Sequence, residues 1–180
     1  MRFTTLPASE HELVTLRPIT PGDIAQWYEY LAMPVVFEHT SWNVQSPAEL
    51  EHYATPSELP SAPLRLAIAE RSGNQLVGTI GFHTVSPENR SAELAYDLSP
   101  GWWGKGIASQ MCEAVVQWAH SHVGLLRVQA TVLTSNSRSI EVLQRCSFKR
   151  EGLLRSYRIG RGRPGDFWMY SHVRSDTPPL

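Results

Sequence analysis

Three strand-like runs follow one another in the middle of the chain: Leu64 to Glu70, Leu76 to Val85 and Ser91 to Leu98. SerGlyAsn at 72–74 joins the first two as a hairpin turn, and a second turn precedes the third run, so the pattern predicts three sequential antiparallel strands. The third alternates, with Glu93, Ala95 and Asp97 on one face and Leu94, Tyr96 and Leu98 on the other. Beyond Pro100 the period changes. Ile107, Met111, Val115 and Trp118 recur at helical spacing, with Gln110, Glu113 and Gln117 opposite, which predicts a helix packing one face on a sheet.

The flanks follow the same logic. Leu13 to Leu16 reads as a short strand, and Ile24, Trp27, Tyr28 and Leu31 as the apolar side of a helix that Pro34 ends. A short helix from about Pro47 to Tyr53 and an irregular loop marked by prolines 56, 60 and 63 follow. Leu125 to Leu133 predicts a buried strand and Asn136 to Cys146 a helix, while Phe148 to Ile159 and Phe167 to Val173 predict terminal strands around the turn GlyArgGlyArgProGlyAsp. Strands on both sides of a central helix give one mixed α/β sheet opened in its middle toward residues 101–106. With neither a repeat nor a linker, residues 1–180 read as a single domain.

Composition narrows the class. The 16 basic and 17 acidic residues nearly cancel, so no global field recruits nucleic acid or an anionic membrane. The N-terminal stretch lacks an apolar run long enough for a signal peptide or a span, which predicts a cytoplasmic protein. Cys112 and Cys146 have neither CxxC nor metal-ligand spacing, so reduced, mostly buried thiols and no metal are expected.

Chemistry enters where the third strand runs through TrpTrpGlyLysGlyIleAla into the helix. Such a turn aims unpaired backbone N–H groups and the positive end of the helix dipole at one spot, an arrangement suited to phosphate. Gly104 and Gly106 let backbone approach closely, Ala108 avoids bulk in the first helical turn, and Lys105 adds a cation. No GxSxG turn and no GxxxxGK(S/T) loop occurs, which argues against hydrolase and P-loop readings.

Three segments together, AlaGluLeuAlaTyr, TrpTrpGlyLysGlyIleAla and AsnSerArgSerIleGluValLeuGlnArgCysSerPhe, resemble the GNAT superfamily of N-acetyltransferases. Within it the chain is similar to the ribosomal-protein N-terminal acetyltransferase branch, over nearly its whole length. The resemblance implies a mostly antiparallel central sheet flanked by helices and splayed at the cofactor site, with acetyl-CoA as acetyl donor. It aligns Trp103, Gly104, Lys105, Gly106, Ile107 and Ala108 with the acyl-CoA signature, in which Trp103 stands where Gln or Arg is more usual, and lays Tyr96 and Leu98 along the pantetheine arm. It makes Glu93 the base, acting directly or through a water, provided burial raises its pKa. A solvated carboxylate or a pair with Arg90 are the alternatives. His83 is a reserve base or a structural histidine. Asn136 caps its helix, contacts the pantetheine, or does both. Ser139 is the hydroxyl that meets the leaving thiolate, since Leu143 stands where many members carry a tyrosine, although a solvent-facing serine remains open.

For substrate recognition, Glu38 and Trp42, with Trp27, Tyr28 and His39 nearby, suit a cationic amine with some apolar body, and core packing accounts equally for the aromatics. Asp166 and Tyr170 match a DxxxY pattern of the branch, facing substrate or pairing strands. Arg158, Arg161 and Arg163 form a basic turn, solvated or facing an acidic partner. The acceptor is then an amine, either a protein N-terminus or a small molecule, with a homodimer open and an acyl-CoA-binding protein without activity as a third reading. The α-amine has a physical advantage: with pKa about 8 it costs about 1.4 kcal/mol to deprotonate at pH 7, against about 4.6 for a lysine.

Overall fold

Residues 64–98 fold as their pattern predicts, and the rest of the sheet grows from them. The computed structural model describes residues 5–55, 59 and 61–176, so Pro56 and Pro60 lie outside the described residues. Strands β1 (Val14–Pro18), β2 (Leu64–Glu70), β3 (Leu76–Ser86), β4 (Ser91–Leu98), β5 (Arg127–Leu133), β6 (Lys149–Gly160) and β7 (Arg163–Val173) form one sheet, ordered β1-β2-β3-β4-β5-β7-β6. Every neighbouring pair is antiparallel except β4 and β5.

Helices cover both faces. Helices α3 (Ile107–Trp118) and α4 (Ser137–Arg145) lie on one side, where Met111, Val115 and Leu143 pack with Ile80, Phe82 and Leu94. On the other side α1 (Ile24–Leu31) and the 3-10 turn Pro47–Ala54 enclose Trp27, Tyr30 and Leu50. Trp27 is completely buried, which makes it core. Pro34 departs from expectation: it does not end α1, which stops at Leu31, but opens the short helix α2 (Pro34–Phe37). At the first helical position a proline loses no needed N–H.

Two boundary differences shape the cleft. The expected loop at 160–166 contracts to a two-residue turn, because Gly160 pairs with Arg163 and both Arg161 (φ 50) and Gly162 (φ 75) adopt positive φ. That is hairpin-turn geometry, and it lengthens β7. Second, β6 bulges between Leu154 and Arg158.

The parallel join is short. Only Ser91, Ala92 and Glu93 pair across it, with Arg127, Val128 and Gln129. Beyond Glu93 the strands diverge, and a cavity of about 650 Å³ opens between residues 94–97 and 130–133. The opened middle expected from the sequence is this divergence.

Candidate active site

The turn after β4 carries the residues expected to hold phosphate, and none of Trp103, Gly104, Lys105, Gly106, Ile107 and Ala108 is among the walls of the cavity of about 650 Å³. Gly104 and Gly106 both hold φ +75, a conformation that side chains rarely adopt, and a Cβ at either would meet nothing within 4 Å. The glycines are therefore required by backbone conformation, and the space before them is open. Gly106 is the N-cap of α3 and no side chain caps the helix, so its first N–H groups remain available. Ile107 contributes backbone alone, because its side chain is 1% exposed in the core. These features fit the diphosphate of a CoA-type ligand.

Trp103 is not a lost contact. Its indole N–H donates to the Leu98 carbonyl at 2.7 Å and closes the turn. The Arg138 guanidinium lies 4.2 Å from its ring centroid, and the Lys105 ammonium 4.5 Å from that of Trp102. Two cations thus flank the turn. Sequence reasoning missed Arg138, although a cation in the first turn of a helix runs against the dipole and was a usable signal.

Helix α4 supplies the next groups. Asn136 caps it, with Oδ1 accepting from the Ser139 N–H at 3.1 Å, while Nδ2 donates to the His39 carbonyl at 3.1 Å. Tyr96 donates its hydroxyl to the Ser139 carbonyl at 3.1 Å and ties α4 to β4; burial pushes its pKa up, so it stays protonated. Ser139 lines the cavity, and its Oγ has no partner among the described residues. It is free to face a ligand.

At the centre Glu93 is 6% exposed. Its Oε1 accepts from Thr131 Oγ1 at 2.6 Å and from Arg158 at 2.8 Å, with His83 Nε2 at 3.4 Å. Burial pushes the carboxyl up, but hydrogen bonds from His83 and Thr131 and the charges of His83 and Arg158 outweigh it and hold Glu93 at about 2. The expectation of a raised pKa is thereby corrected: burial brought partners with it. Its ion-pair partner is Arg158, whereas Arg90 donates to the Gly124 carbonyl. His83 and Arg158 line the cavity in front of Glu93.

The acceptor end gathers Trp42, Arg65, Asp97, Arg158 and Arg161. Asp97 is held by Arg65, by the Tyr30 hydroxyl and by Thr79 at 2.6 Å. Arg65 also lies beneath Trp42, 5.4 Å from the ring centroid.

Two residues expected to face substrate do not line the cavity. The Glu38 side chain is 56% exposed and pairs with His39 at 2.8 Å, and its contribution is a backbone carbonyl that receives Arg161. Asp166 accepts from the Ser156 N–H at 2.7 Å, so it braces the β6 bulge. It acts at one remove, because that bulge resets the strand so that Arg158 reaches Glu93. Tyr170 is core, and both cysteines are free, buried and away from the cavity walls.

The acetyltransferase (GNAT) domain family matches residues 14–149. The chain is 30% identical over 169 residues to the uncharacterized N-acetyltransferase p20 of Bacillus licheniformis, covering 92% of this chain and 95% of that protein. It is 39% identical over 111 residues to the uncharacterized N-acetyltransferase YoaA of Bacillus subtilis, where the match spans 62% of this chain and 63% of the relative. A ribosomal-protein-serine acetyltransferase of Escherichia coli is 28% identical over 56% of each chain. Among solved structures, spermidine N-acetyltransferase from Vibrio cholerae, in complex with CoA and spermine, shares the fold with a TM-score of 0.80 at 20% identity, over 92% of this chain and 98% of that one.

Proposed function

We propose that this chain, an N-acetyltransferase of the acetyltransferase (GNAT) family to which it belongs, moves the acetyl group of acetyl-CoA to the α-amine of a protein or peptide. The observation that carries the acceptor reading is the charge of the cleft: of the guanidiniums that line it, Arg65 is met by Asp97 and Arg158 by Glu93, while Arg161 meets no acid among the described residues, so cations outnumber carboxylates. A polyamine meets like charge in such a cleft. An α-amine, with its pKa near 8, is pushed further toward its neutral, nucleophilic form by the same guanidiniums. The relatives act on both acceptor classes, by name ribosomal proteins and spermidine, so family membership alone leaves the choice open.

Acetyl-CoA supplies a thioester whose sulfur departs as the amine nitrogen bonds to the carbonyl carbon. Gly104, Gly106 and the free N–H groups opening α3 hold its phosphates, with Lys105 and Arg138 beside them. Tyr96, Asp97 and Asn136 line the cavity along which the arm would lie, whereas Leu98 is not among its walls and gives its carbonyl to Trp103. The Ser139 hydroxyl donates a hydrogen bond to the departing sulfur, which leaves as a stabilised thiolate. Glu93 acts through His83: a carboxyl held at about 2 is too weak a base to keep a proton taken from an amine. As a permanent anion it orients the His83 ring and stabilises the imidazolium once His83 has taken the proton, the division of labour of an orienting acid and a base. Transfer is direct, since neither Cys112 nor Cys146 lines the cleft.

The test is thiol release from acetyl-CoA at pH 7 with matched peptides, amino acids and polyamines. Peptide α-amines should exceed spermidine in kcat/KM by about 250-fold, the ratio set by the difference in deprotonation cost when the polyamine amine is taken as lysine-like. Tight CoA binding without turnover of any amine would instead favour a silent acyl-CoA binder.

A further inference from the structure

We infer that Arg158 and Arg161 form a binding site for a carboxylate carried by the acceptor, a step that rests on the α-amine reading above. Both line the cavity, and both belong to the β6–β7 hairpin. The bulge braced by Asp166 turns Arg158 inward, and the tight turn sets Arg161 at the tip.

Arg161 is anchored but not neutralised. One of its nitrogens donates to the carbonyls of Glu38 and Thr40 at 3.2 and 3.0 Å, and its guanidinium lies 5.4 Å from the Phe37 ring centroid. Those partners fix the plane of the fork and carry no charge. Glu38, whose carbonyl receives Arg161, turns its carboxylate to His39 instead. The remaining donors of Arg161, and those of Arg158 beyond the one on Glu93, have no partner among the described residues. Asp97 cannot serve them, being occupied by Arg65, Thr79 and Tyr30. A planar fork with open donors on a cavity wall is suited to bidentate capture of a carboxylate.

The site is also connected to the chemistry. Arg158 shares Glu93 Oε1 with His83, the group facing the amine. The carbonyls that hold Arg161 flank His39, whose own carbonyl receives Asn136. An extended acceptor advances ~3.5 Å per residue, so with its amine at His83 the residues that follow run along the same cavity wall that carries Arg161. A free amino acid would instead present its α-carboxylate to Arg158. The two sources share one chemistry.

Acid and amide versions of the same acceptor separate the cases: peptides with Asp or Glu against Asn or Gln at positions two and three, and amino acids against their amides. The wild type should favour the acid at least about fivefold in kcat/KM, and Arg161→Gln should bring the peptide ratio to about one, with Arg161→Lys keeping part of it. A preference confined to free amino acids and lost in Arg158→Gln would locate the carboxylate at the amine itself. Titrating the N-acetylated acid and amide products onto CoA-loaded protein reads the same ratio without turnover, which separates failure of this site from failure of the acceptor reading. An acid-to-amide ratio of one in both arms, or a peptide ratio unchanged by Arg161→Gln, overturns the inference.

Discussion

The donor and acceptor ends of the site are made of different material. At the donor end the core of the site is backbone, two glycines at φ +75 and the uncapped start of α3 within one short stretch, with the Lys105 and Arg138 side chains only flanking it. At the acceptor end they are side chains brought together from β2, β3, β4, the loop after α2, and the β6–β7 hairpin. A backbone site tolerates change in every residue that keeps its φ, so it can stay constant while the chain diverges. A side-chain site changes with each substitution on any of five segments, which is where specificity for one amine over another is easily altered.

The sharpest way to break this division is at the joint between the ends. His83→Gln should lower kcat/KM about 100-fold or more while CoA affinity stays within about twofold, since a general base contributes roughly 10²–10⁴. With Glu93 held at about 2, its own titration lies far below neutral pH. An acid limb near neutral pH that survives His83→Gln but vanishes in Glu93→Gln would return the base to Glu93.

Next in size, Gly106→Val forces a β-branched residue into positive φ, a strain of roughly 1–3 kcal/mol, and fills the space before the turn. CoA affinity, followed by calorimetric titration, should fall about 30-fold if that strain and lost approach both act. Unchanged affinity would show that the donor end does not depend on its backbone.

The smallest effect distinguishes the ends by acid. Glu93, at about 2, lies below the 4.5 of an unperturbed glutamate, so the stability it lends is complete above about pH 4.5 and is lost as pH falls toward 2. Protection factors against amide exchange should therefore fall in residues 155–165 at pH 3 before they do in 107–112. The opening free energy there should drop by on the order of 1 kcal/mol, after allowance for screening. Equal loosening at both ends would dissolve the contrast.

What the sequence disclosed follows the same line. The bounds of β4, the glycine turn and the Asn136 cap were legible because each is set by neighbours a few residues away. Arg138 against Trp103, Arg158 on Glu93 and Arg161 on the carbonyls of residues 38 and 40 join distant segments, and no local pattern encodes such meetings. Glu93 shows both sides. Alternation placed it on the polar face of β4, but its acidity depended on Thr131, His83 and Arg158, from three other strands. Glu38 resembles a binding group as an acid in a covering loop, and Asp166 matches the DxxxY pattern that faces substrate or pairs strands; only their hydrogen bonds, to His39 and to the Ser156 N–H, place them.

The three-residue join between β4 and β5 carries one more consequence. Residues 14–98 form a four-stranded antiparallel unit and residues 127–173 a three-stranded one, so the sheet is two leaves meeting along a brief seam. A ligand lying across the divergence touches both leaves and is bound only by their docked arrangement. Its binding energy is thereby coupled to the cohesion of the whole chain, and a saturating donor at 100 times its Kd would add about 2.7 kcal/mol to that cohesion. The leaves are otherwise joined by one apolar core, in which Ile80, Phe82 and Leu94 of the first and Val128, Val132 and Tyr170 of the second pack with α3 and α4, so occupancy of the gap adds to a cohesion the core already supplies.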